Sequence, residues 1–419
     1  MKTYTVKLKQ VAVMTGMALS GIGVSGAITP ANALTFNFIS AAGTSQDAID
    51  GFNTAGALWS SAFNDNVTVN INIGFTALGA NILGQASSNS QNFSYRDVYS
   101  ALKSDRKSID DSTAVRNLPN SPKNKSIGSR ISPPDPTTFN MLLNRTANSP
   151  NGSGSATPYL DKDGDANNSY INMNTANAKA LGLIAGNMNT ADADISFSNL
   201  FSWDFNRADG ITANTFDFVG IAAHEIGHAL GFVSGVDILD YYGGTQYNDN
   251  VFTYVTPLDL FRYSTESKDL GAIDWTADAR DKYFSLDGGT TKIASFSTGS
   301  TFGDGQQASH WKDNLGLGIM DPTAARGEQL AITENDLRAF DVIGWNRGAT
   351  VVSNQTRTNI TDDRTPNSTL QGLAVSATVT DVPEPENFVG TFIFAAFGIK
   401  MVLKRRQKLS TADVAESQS

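Results

Sequence analysis

"AAHEIGHALGFVSGVD", residues Ala222 to Asp237, carries two histidines four apart, His224 and His228, with Glu225 directly after the first. On a helix, positions i and i+4 share a face. Both imidazoles can therefore reach one zinc ion at about 2.1 Å, while the neighbouring carboxylate is angled to act on a water there rather than to ligate. The flanking residues predict a helix of about four turns starting at Asn214, with Asp217 near its first turn and Gly231 as its stop. Two imidazoles leave such an ion short of a third protein ligand. Six places beyond His228 stands Ser234, whose hydroxyl is a poor one.

The chain has 419 residues, three histidines and no cysteine. Disulfides, thiolate metal sites and cysteine nucleophiles are excluded, and any metal is held by His, Asp or Glu. The last histidine is His310, in "GDGQQASHWKDNLGLGIMDP", ten residues before Met320. A single histidine beside a tryptophan is ordinarily a packed or surface side chain, so residue chemistry alone leaves competitors. Asp237 lies three positions past Ser234, and Glu266 lies in "RYSTESKDLG", which reads as loop.

Taken in order, H-E-x-x-H-x-x-G-F, a long insertion, Ser-His-Trp and a Gly-Ile-Met-Asp-Pro turn resemble the leishmanolysin-like branch of the metzincin zinc proteases. In metzincins generally the helix motif runs on to a third histidine, whereas in this branch an inserted segment separates the second and third. Here that separation is 310 minus 228, or 82 positions. The resemblance covers roughly Ala191 to Trp345. It implies an α+β, zincin/metzincin-like catalytic domain with a mixed sheet, a zinc-binding helix and a C-terminal helix. Carried over, His224, His228 and His310 would bind Zn2+, Glu225 would be general base and then acid, and Met320 would lie under the metal. The implied activity is hydrolysis of internal peptide bonds in a protein or peptide substrate. Substrate preference is not inherited, because the absence of cysteines and the C-terminal tail set this chain apart. The alternative is a non-catalytic extracellular matrix or adhesion protein that keeps such a fold; Glu225 speaks against it, since a purely structural site has no use for that carboxylate.

Working outward, "TSQDAIDGFNTAGALWSSAF" (Thr44 to Phe63) places Ile49, Phe52, Ala55 and Trp59 on one helical face, with Thr44 as the expected N-cap. "NVTVNINIGF" alternates Val67, Val69, Ile71 and Ile73 with polar residues, the period of a half-buried strand. Residues 104 to 158 read as a long surface excursion with helix around Thr137 to Leu143. "ADADISFSNLFSWDF" reads as a strand, either an ordinary sheet member or the edge along which substrate lies. Within the insertion, "VTPLDLFRYS" and "YFSLDGGTTKIASF" read as strands with a turn at Asp287-Gly288-Gly289. After Met320, Thr333 and Asp336 are spaced to cap a packing helix. "DKDGD", Asp161 to Asp165, resembles the first half of a Ca2+ loop. The twelfth position is Asn172 rather than the glutamate an EF-hand uses, so a solvated acidic turn is the competing reading.

The ends read as addresses. Residues 1–33 place Lys2, Lys7 and Lys9 before an apolar stretch of small residues and an Ala31-Asn32-Ala33 cleavage site, as in a secretory signal peptide. Its removal would take the net charge from -10 to -13, and no basic block occurs in the body of the chain, which disfavours nucleic acid as a partner. A catalytic domain is expected over 34–348 and a flexible Ser/Thr/Asn-rich linker over 349–381. Residues 382–419, with Pro-Glu-Pro, an apolar run from Phe388 to Leu403 and the basic Lys404, Arg405 and Arg406, resemble the PEP-CTERM sorting tail of bacteria. That resemblance implies export, transient membrane anchoring and an exosortase-type processing partner.

Overall fold

Val69, Ile71 and Ile73 turn inward from the second strand of the central sheet into the core. The computed structural model describes residues 34–79, 82–120 and 135–348, with the backbone of a two-residue strand at 380–381. The segments expected to be a signal peptide and a sorting tail, and most of the expected linker, lie outside the described residues. Among those described, no helix is long and apolar enough to cross a membrane.

The architecture is α+β. Strands β1 (Thr35–Ser40), β2 (Thr68–Thr76) and β8 (Ala193–Ser198) run parallel, and β3 (Gly84–Ser88) lies antiparallel to β8 at the sheet's end, in the order β1-β2-β8-β3. Helices α1 (Gln46–Ala62) and α5 (Phe218–Leu230) meet this sheet through an aromatic cluster. Phe52, Phe197 and Phe218 stand 4.6 to 5.4 Å apart between ring centroids. A Cβ on Gly51 would come within 2.4 Å of the Phe218 ring, so the close helix contact requires glycine there. Each such ring taken fully out of water contributes about 2–3 kcal/mol. Beneath the sheet end, the buried Lys179–Asp192 pair, at 2.6 Å, also reaches the Thr68 carbonyl and Asn70 N–H, so its charges are satisfied by backbone.

Around this frame, β4 (Ser90–Ser94) pairs with β7 (Tyr170–Asn174), which leads into α4 (Thr175–Ala180). Helix α2 (Tyr95–Asp105) is followed by α3 (Ile109–Asn117), which reaches the last helix, α8 (Glu334–Val342), through its N-cap Ser108 to Asp341 at 2.7 Å and Asp110 to Arg338 at 2.7 Å. β9 (Trp203–Asp204) pairs with β10 (Phe216–Asp217) just before α5. After α5 the insertion carries α6 (Val236–Tyr242), β11 (Arg262–Tyr263), α7 (Thr265–Asp269), β12 (Ile273–Asp274), β13 (Lys282–Phe284) and β14 (Ala294–Phe296). Strands β11, β13 and β14 form an antiparallel sheet. β12 instead joins β5 (Met141–Leu143), which also pairs with β6 (Tyr159–Asp161), so the insertion is knitted to the segment that precedes the main sheet's last parallel strand.

Several expectations are corrected. The N-cap of α1 is Ser45, which accepts from Ala48 N, rather than Thr44. The expected helix at Thr137 to Leu143 is strand β5. Its run Met141–Leu143 is buried throughout, too short for a helix and apolar on both faces, as an interior strand must be. Residues 104–158 are therefore not all surface excursion, and they also contain the capped helix α3. Of the two readings of "ADADISF", the ordinary sheet member holds: β8 is interior, and the sheet's edges are β1 and β3. Helix α5 begins after Asp217, not at Asn214. Asn214 adopts φ 68°, which a right-handed helix excludes, and the Asp217 carboxylate accepts from Gly220 N at 2.9 Å. The segment around Glu266 is the short helix α7 rather than loop, capped by Ser264. Thr333 and Asp336 do form the expected capping box of α8.

Candidate metal centre

His224 and His228 project from α5, whose thirteen residues are all buried. Trp59 of α1 donates its indole N–H to Ala223 O, and Asn174 of β7 donates to His228 O at 2.8 Å, so the helix is held at both sides of its histidines. Gly231 ends it at φ 120°, a conformation that L side chains rarely adopt.

His310 is brought to the same point. The Nε2 of His228 lies 3.1 Å from that of His224 and 3.2 Å from that of His310, and the ligand atoms of the three residues all fall within 4.8 Å. Three nitrogens bound tetrahedrally at about 2.1 Å would stand about 3.4 Å apart, so the spacing fits zinc after a small expansion. The opposite ring faces agree. His224 Nδ1 is 2.7 Å from Ile319 O and His228 Nδ1 is 2.8 Å from Phe232 O. A carbonyl only accepts, so in both rings the proton sits on Nδ1 and the Nε2 lone pair points inward. Burial, then the nearness of His228 and His224, holds His310 well below the usual histidine range, which keeps that imidazole a neutral ligand. Among the described residues this is the one group of three or more His, Asp or Glu side chains so gathered.

Glu225 is fully buried beside the edge strand. A Cβ on Gly84 of β3 would lie 2.8 Å from its Oε1. Met320 is fully buried against the middle of the motif: a Cβ on Gly227 would meet its sulfur at 2.4 Å, so glycine between the histidines makes room for the Met320 side chain. Asp336 holds the turn that carries Met320. Its carboxylate accepts from Ile319 N at 2.9 Å, Trp311 Nε1 at 2.8 Å and Thr333 N at 2.7 Å. Read from sequence as a helix cap alone, Asp336 thus also fixes Ile319, the residue before Met320, and Met320's own N–H at 3.4 Å.

The competing ligands have other partners. Ser234 donates its hydroxyl to Asp259 at 2.6 Å, and its N–H to the Ser309 hydroxyl at 2.9 Å. Asp237 accepts from Ala308 N at 2.6 Å and from Ser309 N at 3.1 Å, and also takes the Ser309 hydroxyl. It therefore holds the loop that ends in His310. Glu266 pairs with Arg280 on the insertion's surface. Asn174, Asp259 and Asp336 were not recognisable from sequence as supports, because their partners are 54, 25 and 25 positions away. No family model matches the chain, and no curated protein or solved structure is detectably similar to it.

Proposed function

We propose that this chain is a zinc-dependent endopeptidase with a metzincin-like fold of the leishmanolysin-like type. The observation that carries the reading is the convergence of His224, His228 and His310 beside the buried Glu225. His224, His228 and His310 would hold Zn2+. Bound there, zinc would supply Lewis acidity towards a peptide carbonyl and lower the pKa of water towards 7. Three protein ligands suit a catalytic rather than a structural zinc, because they leave a position open. Glu225, from the same helix, takes a proton from the attacking water and returns it to the departing amine nitrogen. Strand β3 is the sheet edge beside Glu225, so an extended substrate would lie along it by main-chain pairing, which suits an unfolded or loop segment of protein. Export with a removable C-terminal anchor, read from the two ends, accords with such a substrate outside the cell.

The test is cleavage of unfolded casein by the purified full chain, with zinc content measured on the same preparation. Wild type is expected to hold one zinc and to cleave. Glu225→Ala should keep the zinc and lose on the order of 100-fold or more in rate. His310→Ala should bind zinc weaker by about two orders of magnitude. Equal cleavage by wild type and Glu225→Ala would overturn the reading.

A further inference from the structure

The alternating acidic loop at the end of β6 meets an acidic residue of the insertion. Asp161, Asp163, Asp165 and Asn167 occupy every second position of "DKDGDAN". Tyr159, two residues before Asp161, donates its hydroxyl to Asp249 Oδ2 at 3.0 Å, bridging 90 positions of sequence. Asn172, the twelfth residue of the loop, is turned to Asn92 at 2.7 Å and supplies nothing here. Asp249 thus brings a further carboxylate close enough for its charge to act on Asp161 and Asp165.

Negative charge accumulates at this place. Burial first, and then the charges of Asp249 and Asp163, push Asp161 up to about 6, and Asp165 is raised by burial and by the same two neighbours. Among the described residues, no lysine or arginine is ion-paired with any of the four. A separate observation points to a cation. Asn167 is fully buried and its amide nitrogen donates to Asp161 Oδ2 at 2.8 Å, which sets its amide against the first carboxylate of the loop. Its Oδ1 has no hydrogen-bond partner, and neither has the buried Oδ1 of Asp165. Two buried oxygens lacking a donor beside an excess of carboxylate suit a hard cation, which takes oxygen ligands and needs no proton from them.

We propose that Asp161, Asp163, Asp165, Asn167 and Asp249 form a Ca2+ site that joins the β6–β7 loop to the insertion. The carboxylates are not gathered as closely as the three histidines. Calcium tolerates six to eight oxygens in irregular geometry, whereas magnesium demands a near-ideal octahedron, so the loop selects the larger ion. The site's position gives it a mechanical role. The loop runs into β7, whose Asn174 grips the end of α5, while Asp249 belongs to the segment that must fold back to deliver His310.

The inference does not depend on proteolysis, and its test reads binding directly. Zinc-loaded full chain freed of calcium is titrated with CaCl2 by calorimetry, and its Tm is followed with and without the ion. One Ca2+ per chain is expected, with a dissociation constant of about 0.1–1 mM and a rise in Tm. Asp249→Asn should weaken binding about tenfold. Asp163→Asn alters an exposed side chain and keeps an oxygen to accept from Asp165 N, as Asp163 does at 3.2 Å; it should also weaken binding with the calcium-free Tm unchanged. Absence of binding up to about 10 mM, an equal Tm rise with Mg2+, or wild-type affinity in both variants would each overturn the site.

Discussion

Gly84 shows how closely the proposed base is enclosed. No turn or positive φ demands glycine there, since the residue lies within strand β3. What excludes a side chain is Glu225, whose Oε1 would be 2.8 Å and whose Cγ and Cδ would each be 3.3 Å from the added Cβ. Gly84→Ala should therefore push the carboxylate aside rather than unfold the sheet. The expected result is a fall in kcat of about tenfold or more with zinc content retained, since a displacement of about 1 Å at a reacting group costs that much. An unchanged kcat would show that the carboxylate does not act from this position. Nothing in the residues around Gly84 signals this contact, for Glu225 is 141 positions away in sequence (225 minus 84).

At the scale of elements, α6 decides where the last histidine goes. The helix is short, and its two carboxylates face the returning loop: Asp237 accepts from Ala308 N and Ser309 N, and Asp240 accepts from Thr301 N at 2.6 Å and Phe302 N at 2.8 Å. Asp240 is buried, and burial pushes the Asp237 carboxyl up to about 7, so its bonds to the loop are charge-assisted only in the fraction ionised at neutral pH. Asp237→Asn removes the charge and presents an amide NH2 where an N–H needs an acceptor. It should lower zinc affinity by about 10–100-fold, as loss of a support behind a ligand does, while the circular dichroism of the fold is kept. Affinity equal to wild type in a competition titration would show that α6 does not position His310. The acid that sequence put forward as a rival ligand instead anchors the loop that carries His310.

The whole molecule carries buried acids far from the histidines, and they set how its stability responds to pH. Burial first, then the charge of Asp111, pushes Asp341 in α8 up to about 7, and burial likewise raises Asp105 at the end of α2 to about 6. In the unfolded chain both titrate near the ordinary carboxylate value of about 4. From about pH 4 to about pH 7 the folded protein therefore holds more protons than the unfolded one, and stability falls as pH rises through that window before levelling off. Asp341→Asn mimics the protonated form and can still accept from Ser108. It should raise Tm at pH 8 by several degrees and leave it unchanged near pH 4. A Tm gain of equal size at both pH values would show that the charge on Asp341 is not the cause.

Relations within a few residues were open to the sequence by itself: the shared face of His224 and His228, the stop at Gly231, the Thr333–Asp336 capping box, the inward period of Val69, Ile71 and Ile73. They follow from the helix and strand repeats, which any short stretch of chain carries complete. Even locally, competition misled. Asn214 and Asp217 are both good caps, and only the left-handed backbone of Asn214 and the β9–β10 pairing put the start of α5 at the second. Other matters were settled by tertiary structure: that β8 is interior and β3 lies at an edge, that Asp249 is bonded by Tyr159 just before the DKDGD loop, and that His310 crosses 82 positions to stand 3.2 Å from His228. Each of these depends on packing summed over many elements, and no repeat or spacing in the chain encodes where two distant segments will meet.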